Sequence, residues 1–90
     1  MDTAATIVVK GLVQGVGFRY FVYINAVKLK LTGYVKNLYN GDVEIEVEGN
    51  RSLIEELMKD VTVGPRSAHV SDIMIEWKDP THHYDQFSIK

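Results

Sequence analysis

Ninety residues, 46% hydrophobic and 24% charged, are enough for one domain, 1–90, whose single core would bury roughly 64% of the unfolded chain's surface. Cysteine is absent, which excludes disulfides, thiolate catalysis and cysteine-ligated metal clusters, and a net charge of −2 argues against a general nucleic-acid binder. No apolar run approaches the roughly 20 residues of a membrane span, and Met1-Asp2-Thr3-Ala4-Ala5 lacks the features of a secretory signal, so we expect a cytoplasmic monomer.

Thr6–Val13 is rich in β-branched residues and predicts a strand, with Gly11 as a bulge or a point of close approach. Gln14-Gly15-Val16-Gly17 breaks it. A helix is predicted from Phe18 to Lys30, because Phe18, Val22, Ala26 and Leu29 share one face. Ile24 and Val27 lie off that stripe and read as extra core contacts. Thr32–Tyr39 and Asp42–Gly49 predict two strands, with Asn40-Gly41 between them as the two positive-φ residues of a type I′ turn. In the second of these strands Val43, Ile45 and Val47 alternate with Glu44, Glu46 and Glu48. Same-face residues of a strand stand about 7 Å apart, so the glutamates read as a solvated outer face rather than a cation site.

A second helix is expected after Asn50 or Ser52, with Ser52 and Glu55 at capping-box spacing. Leu53, Ile54, Leu57, Met58 and Val61 form its apolar side, and Gly64-Pro65 ends it. Val70–Trp77 predicts a further strand with Ile73, Ile75 and Trp77 on one side. After a polar loop, Gln86-Phe87-Ser88-Ile89 could add a short fifth strand. The order is that of an α+β, ferredoxin-like β-α-β-β-α-β sandwich: a mainly antiparallel sheet with both helices on one face.

The junction from Gln14 to Arg19 carries the strongest chemical signal. Two glycines at a strand-to-helix turn can aim successive N–H groups into one concavity, and the helix N-terminus behind them favours an anion. Arg19, in the first helical turn, opposes the helix dipole, a local cost that a bound phosphate would offset through bidentate hydrogen bonds. The same residues also read as a tight turn followed by a surface arginine. The chain contains no Gly-Lys-[Ser/Thr], so there is no P-loop, and Tyr20 stands where a dinucleotide fingerprint starting at Gly15 needs glycine. His82 and His83, adjacent on a loop, point apart, and His69 has no ligand partner nearby in sequence; solvated histidines are expected, with no metal and no cofactor.

Three segments resemble the acylphosphatase family. Val9-Lys10-Gly11-Leu12-Val13-Gln14-Gly15-Val16-Gly17-Phe18-Arg19 is similar to its V-x-G-x-V-Q-G-V-x-F-R signature. Gly33-Tyr34-Val35-Lys36-Asn37, with Asn40-Gly41-Asp42-Val43-Glu44, is similar to its G-W-V-x-N-x-x-D-G-x-V-E block. Gly64-Pro65 through Trp77 follows its G-P-x-x-A-x-V…W ending. The departures are Tyr34 for tryptophan and Asn40 for the turn aspartate, and both keep the local physics.

The resemblance implies metal-independent hydrolysis of the carboxyl-phosphate anhydride of a small acyl phosphate. It places Arg19 and the backbone of Gln14, Gly15, Val16, Gly17 and Phe18 around the phosphate, and gives Asn37 the attacking water. On its own, Asn37 also reads as a strand-end hydrogen bond. The chemistry suits so small a site: a carboxylate whose acid has a pKa near about 4 departs without a general acid. What remains is to neutralise phosphoryl charge and to place a water in line. A rival reading is a non-catalytic module on the same fold that binds an anion or a partner. A third, a carbamoyl-phosphate-processing domain of a larger maturation protein, is disfavoured by a chain ending at Lys90.

Overall fold

The computed structural model describes residues 2–90; Met1, the first residue of the stretch read for a signal, lies outside the described residues. Its elements are β1 (Asp2–Leu12), α1 (Phe18–Lys28), β2 (Thr32–Asn37), β3 (Val43–Asn50), α2 (Arg51–Val63), β4 (His69–Lys78) and β5 (Phe87–Ile89). The strands form one sheet in the order β4-β1-β3-β2-β5. Three neighbouring pairs are antiparallel, and β5 joins β2 in parallel. Both helices cover one face, α1 lying over β2 and β5 and α2 over β1, β3 and β4. This is the expected ferredoxin-like sandwich with its fifth strand.

The core follows the alternation in the strands. Ile7 and Val9 of β1, Val35 of β2, and Val43, Ile45 and Val47 of β3 are all wholly buried. The helices close over them with Phe18, Val22 and Ala26 from α1 and Ile54, Leu57 and Val61 from α2. The surface left exposed is 5424 Å², close to the roughly 5,300 Å² expected for a folded chain of this mass. Ile24 and Val27 are exposed rather than in the core, because the stripe through Phe18, Val22 and Ala26 already fills the contact with the sheet.

Several local expectations are corrected. β1 starts at Asp2, not Thr6, because its first residues pair with the end of β3, Asp2 opposite Asn50. The predicted bulge is present: the register with β4 shifts between Lys10 and Gly11, and a Cβ on Gly11 would meet the His69 carbonyl oxygen at 2.1 Å. α1 ends at Lys28, and Lys30 takes a left-handed φ of 60° as the chain turns into Leu31. Asn50 caps α2, its Oδ1 accepting from both the N–H and the hydroxyl of Ser52. The Ser52–Glu55 box is not used; Glu55 pairs with Arg51 at 3.5 Å.

The β2–β3 hairpin is not a two-residue type I′ turn. Asn40 is not among the residues with positive φ, and Gly41 has φ 96°. Leu38 N–H donates to Asp42 O at 2.8 Å and Gly41 N–H to Leu38 O at 3.2 Å, the pattern of a three-residue loop closed by a glycine bulge. The Asn40 side chain selects this form: its Oδ1 accepts from Asp42 N–H at 3.0 Å.

The glutamate face is also a correction. Glu44 accepts from the Tyr34 hydroxyl at 3.0 Å, and Glu46 binds the Thr6 hydroxyl and Lys78. Glu48 is 7% exposed and accepts from Thr81 N–H (2.9 Å), Thr81 Oγ1 (2.8 Å) and His82 N–H (2.9 Å). The segment between β4 and β5 must cross from one edge of the sheet to the other, and it crosses where Glu48 can hold it. The network forms because that crossing removes solvent from part of the face. His82 and His83 themselves are exposed, as expected.

Candidate active site

At the end of β1 the chain enters a turn in which Gly15 has φ 74° and Gly17 φ 75°, with Val16 between them at negative φ. Alternating hands of this kind turn successive N–H groups toward one side and form an anion-binding nest. No other atom would touch a Cβ at either glycine, so it is the backbone conformation, not space, that requires glycine there. Gly17 is also the N-cap of α1. It supplies no side-chain cap, and no acidic residue occupies the first turn. The leading N–H groups of α1 thus stay open beside the nest.

Arg19 follows, half-buried, with Nη1 donating to the Lys90 carbonyl oxygen at 2.8 Å. The Lys90 N–H in turn donates to Val35 O at 2.8 Å, so the segment leaving β5 is fixed to β2 and holds one side of the guanidinium. Asn37, the last residue of β2, lies across from the turn. Its Oδ1 is buried without a hydrogen-bond partner, alone in this among the side-chain atoms of the described residues. An unpaired buried acceptor costs about 1–3 kcal/mol. A strand-end hydrogen bond, the plainer reading of this residue, is therefore not made through that oxygen.

Gly15, Gly17, Arg19 and Asn37 line one open pocket of about 210 Å³, with Val13, Phe18, Tyr20 and Ile89 as its apolar wall. Asn37 also borders an adjoining space of about 320 Å³ against Leu38 and Tyr39 of the hairpin. Of the expected loop residues, Val16 packs its side chain against the core and Phe18 is buried, so any hydrogen bond that either gives to an anion comes from its backbone N–H. The Gln14 side chain is committed elsewhere: Nε2 donates to Leu38 O at 2.7 Å and Asp42 O at 2.8 Å. Those two bonds tie the turn to the hairpin and set the distance between the nest and Asn37. A Lys10–Asp42 ion pair at 2.7 Å braces the same junction.

A family model described as acylphosphatase matches residues 5–89. The chain belongs to the acylphosphatase family. The acylphosphatase of Clostridium beijerinckii is 46% identical over 83 residues, 92% of either chain. A crystal structure of acylphosphatase from Bacillus subtilis matches with a TM-score of 0.94 and 40% identity, covering 100% of this chain and 99% of that one. T. kodakarensis HypF, at 39% identity and a TM-score of 0.85, covers 98% of this chain with 12% of its own length. The match over most of the length of the acylphosphatases favours the enzyme over a non-catalytic module. This acylphosphatase hydrolyses acyl phosphates to a carboxylate and inorganic phosphate.

The sequence did not point to Ile89 and Lys90, which reach the site through a three-residue strand from the far end of the chain. Their one local signal is the apolar Phe87 and Ile89 at alternating positions after a polar loop.

Proposed function

We propose that the nest of Gly15–Phe18 and the Arg19 guanidinium hold the phosphate of the acyl phosphate while Asn37 orients the attacking water. The observation that carries this reading is the unpaired Oδ1 of Asn37, a residue that lines the same pocket as the left-handed glycines and Arg19. Fixed N–H donors and a guanidinium spread over the phosphoryl oxygens neutralise charge that grows as the bond to the leaving group lengthens. They need no reorganisation during the reaction, because Gly15 and Gly17 already hold the turn and Lys90 already holds Arg19.

The Asn37 amide both accepts and donates, so it can fix a water without charging it. The water oxygen attacks phosphorus, the phosphorus–oxygen bond to the acyl group breaks, and its electron pair leaves on the carboxylate. The water's proton passes to a phosphoryl oxygen. No general acid is needed for so weakly basic a leaving group.

The test is hydrolysis of benzoyl phosphate in chelator-containing buffer by the wild type, Arg19→Gln and Asn37→Ala. Arg19→Gln should abolish turnover and inhibition by inorganic phosphate together. Asn37→Ala should lower kcat by about 10²-fold or more while phosphate inhibition changes far less. Near-normal activity in Arg19→Gln would reject the phosphate cradle. Equal losses in both measurements for Asn37→Ala would move that residue from the chemical step to binding.

A further inference from the structure

Tyr20 and Ile89 are the two apolar side chains of the pocket wall that stay open to solvent, at 62% and 43% exposure, whereas Val13 and Phe18 are 1% exposed. The Tyr20 ring is held although it is not buried. It stacks on Tyr23 with centroids 6.3 Å apart and planes 25° from parallel, and Tyr23 packs against the buried Phe87 at 6.5 Å. Ile89 is placed by the register of β5, opposite Val35 of β2. The rim therefore presents an apolar surface whose ordering cost is already met by the fold.

Direction follows from the chemistry. In-line displacement puts the acyl oxygen on the far side of phosphorus from the water. Asn37, which takes the water, also borders the space under the hairpin with Leu38 and Tyr39. With the water on that side, the acyl group points away from the hairpin, toward α1 and β5. No acidic side chain lines the pocket among the described residues, and the guanidinium of Arg19 is its one charged group.

We propose that Tyr20 and Ile89 form the acyl-recognition wall, and that this enzyme favours acyl phosphates with an apolar or aromatic acyl group over small or charged ones. The inference rests on the phosphate occupying the Gly15–Arg19 turn.

The experiment measures kcat/KM for acetyl, propionyl and butyryl phosphate, whose leaving groups are nearly equal in basicity, and for benzoyl phosphate. Each rate is divided by that of spontaneous hydrolysis. In the wild type kcat/KM should rise by about two- to fourfold per added methylene, the range between half and full burial of that group. Tyr20→Ala and Ile89→Thr change exposed residues, and each should flatten that slope; Tyr20→Ala should also lower the benzoyl-to-acetyl ratio by at least about fivefold. A flat wild-type series, or slopes unchanged in both variants, would overturn the proposal. So would a slope lost in Tyr39→Ala instead, which would put the acyl group under the hairpin. A matching loss of phosphate inhibition in Tyr20→Ala would make that residue part of the phosphate cradle and overturn its role here. Arg19→Gln separates the two levels: retained activity there rejects the phosphate site itself, while its loss beside a flat series rejects the acyl wall alone.

Discussion

Replacing Glu48 with glutamine tests whether the segment between β4 and β5 is held by a buried carboxylate. Glu48 accepts three hydrogen bonds, two on one oxygen from Thr81 and one on the other from the His82 N–H. Bonds to a charged group contribute about 1.5–3 kcal/mol each, against about 0.5–1.5 for neutral pairs. In Glu48→Gln the amide oxygen can keep the Thr81 pair at neutral strength, but the amide nitrogen then faces the His82 N–H, donor against donor. One charged bond is lost and two are weakened, partly offset by the smaller cost of burying a neutral group. The net loss should be about 2–3 kcal/mol, which in a domain of this size lowers Tm by roughly 10–20 °C.

The pH dependence gives the same test a second arm. Burial pushes the Glu48 carboxyl up, but the hydrogen bonds from Thr81 and His82 outweigh it and hold the group below its ordinary value of 4.5. A depressed folded pKa contributes stability that is present above the unfolded value and is lost as pH falls through the folded one. Thermal unfolding followed by circular dichroism should therefore show the full gap between wild type and Glu48→Gln at pH 7. The gap should narrow at acid pH below the folded value, where the wild-type carboxyl is also protonated. A gap under about 0.5 kcal/mol at pH 7, the range of an ordinary surface change, or one that persists unchanged in acid, would refute the clasp.

Three further outcomes follow, two of them from the site. Gly17→Ala meets no atom but must hold a left-handed backbone, so it should cost about 1–2 kcal/mol in denaturant unfolding and weaken phosphate inhibition; unchanged inhibition would detach the nest from the phosphate. Gly33→Ala should be far more damaging, because its Cβ would sit 1.9 Å from the Glu46 carbonyl oxygen, and soluble, normally melting protein would contradict that contact. Gln14→Ala removes both bonds to the hairpin while each carbonyl keeps a backbone donor. It should cost about 1–2 kcal/mol and lower kcat more than it weakens phosphate inhibition, since it is Asn37 that loses its registration; a loss confined to phosphate binding would count against this.

Local rules in the chain specified much of this protein. Alternation of valine and isoleucine marked the strands, the 18-22-26 stripe marked α1, and two glycines before an arginine marked the candidate anion site, because each is a property of residues a few positions apart. Family resemblance then singled out Arg19 and Asn37. Apart from local rearrangements, such as the turn where Asn40 bonds a residue two positions away, the main misreadings concern groups whose partners are distant in sequence. The I′ turn gave way to a bulged loop once Asn40 bonded to Asp42 and Gln14 reached across to the hairpin carbonyls. The glutamates of β3, indistinguishable by spacing from a solvated face, became partners of Thr6, Lys78 and the Thr81–His82 backbone. Most of all, the contact of Lys90 with Arg19 spans 71 residues, and the rim formed by Tyr20 and Ile89 joins the first helix to the last strand. Such proximities arise only when the sheet closes in the order β4-β1-β3-β2-β5, with β5 laid parallel along β2, and no local pattern encodes them.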